Sequence, residues 1–541
     1  MSEIHNPILR GFNPDPSIVR VGDDYYVATS TFEYHPAVRL HHSRDLVHWT
    51  VLGHALPDLD LRGVPDSGGV WAPSLSYSDG RFWLAYSVVR SVDGDDKDIQ
   101  NYLVTATTLE GPWSQPVFLG SRGIDFSFFH DTDGTHWIVG VQWDHRPHHP
   151  SFSGLVLEQY LPDQRRTSGT AHTIFTADHL VEGPNLYRLG EGYLLMMAEG
   201  GTGWNHGIST AFSPNLLGPY EPDPRGSLLT TRDAPGHPLQ KAGHGELVQR
   251  PDGQWFLAHL ASRPTLNLGD RYCTLGRETC LQHIRFIDGW PRLADGGHHP
   301  AQTVQVPDGG APSSPLEDAA HETGRVAAPT TGGIETAWAW HEDFSTSHLD
   351  DRRWSTLRTA ADPQVVDLVS RPGRLQLRGG PSPASVFEQS MILTRVTEHH
   401  TTMRVSMDAE PSTVRESAGL IAWYDRDGWI WLQLTWDKQN GRHLRLVQRA
   451  VGSTERSGPI PAPEGPIELR CDLKDDQIRF SFRAPEGAWT AVPGSHPAWK
   501  LSDDFGPRLR FTGMFLGLRA EDLDSRGWGA RFEDVHVSMR R

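Results

Sequence analysis

Asp15 in NPDPS, Asp125 in GIDFSFF and Glu182 in VEGPNLYR are carboxylates set at the heads of short apolar runs, far apart in the sequence. Brought together, such groups can do acid–base work. One ionised and one protonated carboxyl flanking a bond hydrolyse a glycosidic linkage, and a third acid nearby raises the pKa of the proton donor. Asp15 lies between two prolines. Proline fixes its own φ and pushes the preceding residue toward extended geometry, so this carboxylate is expected on a rigid, extended strand entry. An ordinary turn at a strand start is the plainer reading of Asn-Pro and Asp-Pro. No serine elbow, phosphate-binding loop, dinucleotide fingerprint or HExxH zinc motif offers a competing chemistry.

The elements that would gather these acids are visible as a repeat. DPSIVRVGDDYYVATST from residue 15 is followed by APSLSYSDGRFWLAYSV from 72, DFSFFHDTDGTHWIVGVQW from 125, EGPNLYRLGEGYLLMMAEG from 182 and HGELVQRPDGQWFLAHLAS from 244. Each copy has a short apolar strand, a turn rich in Gly and Asp, and a second strand led by an aromatic residue; the copies begin 57, 53, 57 and 62 residues apart. Five hairpin repeats of that period predict a five-bladed β-propeller over residues 1–302, and the lack of a leucine ladder speaks against a solenoid. Innermost strands line a propeller's axis, so Asp15, Ala72, Asp125, Glu182 and His244 are expected to converge. Three like charges in one channel disfavour each other's ionisation and would serve stability badly, which points to function rather than to turn capping or a structural cation.

Composition agrees with an all-β chain of more than one domain. At 541 residues it exceeds a single compact core. From about 303 to 337 the sequence turns to VPDGGAPSSPLEDAAHETGRVAAPTTGG, without aromatics or periodicity, and reads as a connecting segment. Beyond it, period-two runs such as TTMRVSMD, WIWLQLTWD and IRFSFRA predict an antiparallel β-sandwich over 338–541, of concanavalin or jelly-roll type. A formal charge of −17 argues against nucleic acid or an anionic membrane as partner. With no leader-like start, no long apolar run and three cysteines lacking metal-site spacing, the protein is expected in the cytoplasm. Homo-oligomerisation stays open.

NPDPS, GIDFSFF, VEGPNLYR and LGRET, in this order, resemble glycoside hydrolase family 43, and within it the β-xylosidases that carry an extra C-terminal sandwich. The resemblance spans nearly the whole chain. It implies an exo-acting, inverting hydrolase that releases xylose from the non-reducing ends of β-1,4-xylo-oligosaccharides or arabinoxylan-derived oligosaccharides, with α-L-arabinofuranosidase as an added or alternative activity. Asp15 would be the general base, Glu182 the general acid and Asp125 the residue that tunes and orients that acid. Inversion requires room for water, which places the Asp15 and Glu182 carboxyls about 6.5–9.5 Å apart. Phe32 in TSTFEYHP and Trp71 in VWAPSL resemble aromatic walls of the sugar pocket, and Arg277 a clamp on sugar hydroxyls; blade packing and a salt bridge in the acidic channel are their plainer roles.

The resemblance further implies that Phe511, in RFTGMF, reaches the pocket from the sandwich, although aromatic residues also fill sandwich cores. His244, in AGHGELV, matches an axial histidine that in several members contacts calcium or its waters. No cofactor is required, and calcium in the channel is an option that histidine alone suits poorly. Two departures stand out: Phe126 where proline commonly follows the central aspartate, and Gly245-Glu246 where Ala-Asp commonly follows the histidine. Two rivals remain. A five-bladed β-fructosidase lacks support, since neither its Arg-Asp-Pro nor its Glu-Cys motif is present. A non-catalytic sugar-binding propeller would not need an acid–base pair.

Overall fold

The computed structural model describes residues 2–92, 97–307 and 337–541. Five antiparallel sheets follow one another through the first half, one for each copy of the repeat. The first is built in order from Ser17–Val21, Asp24–Thr29, Ala37–Ser43 and Thr50–Leu56. The others start at Gly69–Ser78, Ser127–His130, Val181–Leu189 and Gln240–Gln249. Turn chemistry sets the hairpins. Asp79 and Gly80, with φ of 53° and 70°, make a two-residue reversal between Ser78 and Arg81 whose twist suits antiparallel strands. The second strand of the second sheet shows no alternation: Arg81–Val89 is buried at every position after the first, as expected of a strand covered on both faces.

Ring closure lies outside the five sheets. Ser2–His5 pairs antiparallel with Thr303–Val306, and Ile4, Val304 and Val306 pack with Val27, Val248, Phe256 and Leu281 of the first and last blades. The connecting segment expected from residue 303 therefore starts later. TVQV alternates exposed and buried positions, and its two valines are anchored in the closure core. The remainder of that expected segment, 308–336, lies outside the described residues.

The second half is a β-sandwich of two antiparallel sheets. Glu416–Asp425 explains how it meets the propeller, since this strand is buried at all of its positions. Ala418, Leu420, Ala422 and Tyr424 face the sandwich core. Ile421 and Trp423, on the opposite face, pack with Phe12, Phe32 and Tyr34 of the propeller. Thr356–Leu357 adds a strand pair to Tyr34–His35, and the buried Arg358 guanidinium donates to Asp66 Oδ1 at 2.8 Å across the seam. The two halves thus share a core. Among the described residues no helix is long and apolar enough to cross a membrane, and Cys273, Cys280 and Cys471 are buried free thiols.

Candidate active site

Each inner strand carries the same kink, just before it or within its first half. Asp15, Ala72, Asp125, Gly183 and His244 all have left-handed backbone, with φ of 53°, 36°, 57°, 55° and 39°. Pairing registers slip beside three of them, between Trp71 and Ser74, Glu182 and Asn185, and Gln240 and Gly245. Such bulges bend a strand and re-aim its side chains. The extended geometry expected for Asp15 is overturned, because the shared kink overrides the preference of a residue before proline. Aspartate tolerates this conformation better than most residues, whereas alanine and histidine each hold it at a cost of about 1–3 kcal/mol.

The kink also corrects the register of the fourth repeat: its left-handed residue is Gly183, and Glu182 stands one position earlier. A side chain at 183 would bring its Cβ to 2.9 Å from the His244 ring, so glycine is required there. The acid is displaced from the ring of kinked residues and meets no hydrogen-bond donor among the described residues.

Asp15, by contrast, is held on both oxygens. Arg277 Nη1 donates to Oδ1 at 2.9 Å and Ser30 Oγ to Oδ2 at 2.7 Å. The same Arg277 donates to Thr202 Oγ1 at 3.0 Å and to the Phe511 carbonyl at 2.9 Å. Asp125 Oδ2 accepts the Gly183 N–H at 2.9 Å, fixing the backbone beside Glu182. Burial pushes Glu182 up to about 7; the Asp15 charge adds to the push and Arg277 opposes it. Burial likewise lifts Asp125 to about 7, opposed by His244 and raised further by Glu182 and Asp15. The two acids repel reciprocally, so upward is the direction for both.

These groups line a pocket of about 280 Å³. Phe32, Trp71 and Phe511 form its aromatic wall, with ring centroids 5.7 Å apart for Phe32 and Trp71, 5.5 Å for Trp71 and Phe511, and 6.2 Å for Phe32 and Phe511. Phe511 therefore faces the pocket rather than the sandwich core. Gly276 allows this approach, because a Cβ there would lie 2.1 Å from the Thr512 carbonyl oxygen. A larger cleft of about 930 Å³ follows the propeller–sandwich seam, but it gathers none of the three acids.

All eight residues singled out in the sequence line this pocket: Asp15, Asp125, Glu182, Phe32, Trp71, Arg277, Phe511 and His244. Sequence reasoning missed Ser30, Thr202 and His206. Ser30 sits two residues before Phe32, and its Oγ also accepts the Ala72 N–H at 2.7 Å. Thr202 and His206 belong to GTGWNH, a glycine-rich loop outside the repeat core, which was the one available signal. Burial and His244 hold His206 down at about 3, so it is neutral, with Nδ1 bonded to the Gly201 carbonyl.

The site does not fit calcium held by the protein. Beneath the pocket is a void of about 20 Å³, lined among others by Asp125, His244 and Glu246, which is about the room of one water. Calcium takes six to eight oxygens, whereas His244 offers nitrogen. Glu246, which replaces the commoner aspartate, is engaged by Ser17 Oγ at 2.6 Å and the Ile18 N–H at 2.8 Å, stapling the last blade to the first.

Comparison with known proteins agrees with this geometry. Residues 4–291 match the model of glycosyl hydrolases family 43. The chain belongs to this family. Residues 341–538 of this family 43 enzyme match the β-xylosidase C-terminal concanavalin A-like domain. It is 40% identical to a putative β-xylosidase of Escherichia coli K12 and 38% identical to a β-xylosidase of Bacillus subtilis 168, each alignment covering 98% of both chains. The crystal structure of a xylan β-1,4-xylosidase from Bacillus halodurans superposes with a TM-score of 0.91 at 40% identity, over 99% of each chain. The family 43 protein is thus a glycoside hydrolase built from a five-bladed propeller and a concanavalin-like sandwich.

Proposed function

We propose that this enzyme removes terminal xylose from the non-reducing ends of short β-1,4-xylo-oligosaccharides, with inversion at the anomeric carbon. One observation carries the reading. A carboxylate held on both oxygens by Arg277 and Ser30 shares a one-sugar pocket with a half-buried acid that meets no hydrogen-bond donor among the described residues. The held group, Asp15, takes a proton from water; the donor-free one, Glu182, carries a proton near neutral pH and gives it to the leaving oxygen. Asp125 orients Glu182 through the Gly183 amide and, by its own charge, opposes ionisation there. Arg277 sets Asp15 and reaches the sugar hydroxyls, while Phe32, Trp71 and Phe511 cover the apolar face of the ring. A pocket of about 280 Å³ is small for a ligand site and favours a chain end over a chain interior.

The names of the relatives support xylose as the sugar released. A terminal α-L-arabinofuranosyl group presents similar hydroxyls around its anomeric carbon and is the second reading. We further place the propeller unit at residues 2–307 and the sandwich unit at 337–541, and the protein in the cytoplasm, where three buried thiols stay reduced. Rates on p-nitrophenyl β-xyloside and p-nitrophenyl α-L-arabinofuranoside, measured side by side with xylobiose, test the proposal. The xyloside should be the faster aryl substrate and xylobiose should be cleaved to xylose. A faster arabinofuranoside would favour the second reading, and xylobiose bound without turnover would favour a binding protein.

A further inference from the structure

Away from the pocket, two groups of described residues bring metal-binding side chains together: Asp233 with His298 and His299, and Asp534 with His341 and His536. The groups are not equivalent. In the second, both histidines bond the same oxygen, Asp534 Oδ1, at 2.8 Å, and their rings are stacked with centroids 4.4 Å apart. Arg404 lies 3.2 Å from the other oxygen and would oppose a cation.

In the first, His298 Nε2 meets Asp233 Oδ2 at 2.8 Å and His299 Nε2 meets Oδ1 at 2.9 Å. The two rings are turned 74° from each other, so they approach the carboxylate from different directions. No arginine or lysine pairs with Asp233 among the described residues.

The surroundings are also built. The loop carrying Asp233 is tied by Gln240 Nε2 to the Ala234 and His237 carbonyls, at 2.8 and 2.7 Å, and by Arg271 to the Pro235 carbonyl at 3.2 Å. The Thr230 N–H donates to the His298 carbonyl at 2.9 Å, holding the two segments side by side. His237, whose ring centroid is 5.9 Å from that of His299, has its Nδ1 within hydrogen-bond distance of both the Leu239 carbonyl, at 2.9 Å, and the Leu239 N–H, at 3.1 Å, which orients the ring.

We propose that Asp233, His298 and His299 form a binding site for a divalent transition ion of the zinc class, with His237 or water as the fourth ligand. Two imidazoles and a carboxylate suit zinc, with ligand bonds of about 2.0–2.2 Å. Each histidine gives up its Nε2 proton to the other ring nitrogen or to solvent when the ion enters between it and Asp233. The site joins the loop leaving the fourth blade to the segment that enters the closing strand Thr303–Val306. An ion bound there ties the ring shut beside its closure and stabilises the folded state by mass action.

Titration calorimetry on the full chain, stripped with a chelator and then dialysed free of it, tests this with zinc chloride alone, and thermal midpoints provide a second reading. The expected result is one equivalent of zinc that disappears in His298→Ala/His299→Ala and in the near-isosteric Asp233→Asn, but persists in His341→Ala/His536→Ala. Zinc should raise the midpoint of the unmodified chain and leave that of Asp233→Asn where it was. The proposal is overturned if the unmodified chain takes up no zinc, if Asp233→Asn and the His298/His299 variant bind it as before, or if uptake is lost with His341 and His536 instead.

Discussion

Asp15 and Asp125 enter the pocket from kinked heads of inner strands, and Glu182 from the residue before one, whereas Phe511 enters from a sandwich segment pinned by long-range pairs. The propeller repeats one backbone device five times, a left-handed residue just before the innermost strand of a blade or within its first half. The sandwich segment depends on contacts made once: the fully buried Lys241 ammonium against Asp504 at 2.7 Å, Tyr424 Oη donating to Asp503 at 2.8 Å and Arg510 to Asp425 at 3.0 Å. Chemistry placed by local geometry tolerates distant change. A wall placed by charge pairing across a seam does not, so the two regions should fail in different ways when altered.

The largest effect is expected at the acids. Asp15→Asn and Glu182→Gln should each lower kcat by about 10²–10⁴-fold on xylobiose. The leaving group separates them. An aryl xyloside with an acidic phenol needs little protonation, so Glu182→Gln should recover much of its rate there and Asp15→Asn should not. Equal losses on both substrates would remove the distinction between acid and base. Next comes the residue that joins the regions. Arg277→Lys keeps the charge but cannot hold Asp15, Thr202 and the Phe511 carbonyl together, and kcat/KM should fall by about 10–100-fold.

Phe511→Ala addresses the sandwich alone. KM should rise by about tenfold, the worth of one aromatic contact with its buried area, while kcat and the thermal midpoint move little. An unchanged KM would make the sandwich a support and not a wall. Deleting the whole sandwich is a poorer experiment, since Phe12, Phe32 and Tyr34 would lose the residues that bury them.

The smallest effect is on stability. Asp125 and Glu182 are raised to about 7, above their unfolded values, so folding favours their protonated forms. Their contribution is fully present below the unfolded carboxylate range and is lost as pH rises toward about 7. Asp125→Asn removes one of these groups, and its midpoint should exceed that of the unmodified enzyme by a few degrees at pH 8 and by less at pH 5. Activity should fall over the same range, as Glu182 loses its proton. A midpoint gain that did not grow with pH would contradict the raised value at Asp125.

How much was legible in the sequence follows the same divide. The propeller was readable because its hairpins recur with aromatic residues at a fixed step, and the acids because they head those hairpins. The one-residue offset at Glu182 was hidden, since a bulge changes register without changing the apolar pattern. Asp15 was expected extended because the proline rule is local, while the kink is imposed by the pairing of whole strands. Thr202 and His206 lie on a loop with no period, and only folding sets them beside Arg277 and His244. Phe511 was reached through a family resemblance and by no pattern in its own segment, which lies ahead of the strand Phe515–Asp522. The start of the connecting segment was misplaced because TVQV is too short to announce itself as a strand.

In the proposed single displacement Asp15 acts through water and Glu182 through its proton. Proton NMR during the first moments of β-xyloside hydrolysis, before mutarotation mixes the anomers, reads this directly. α-Xylose should appear first. β-Xylose first would mean a covalent intermediate on a carboxylate about 5 Å from the acid, and would contradict the role given to Asp15.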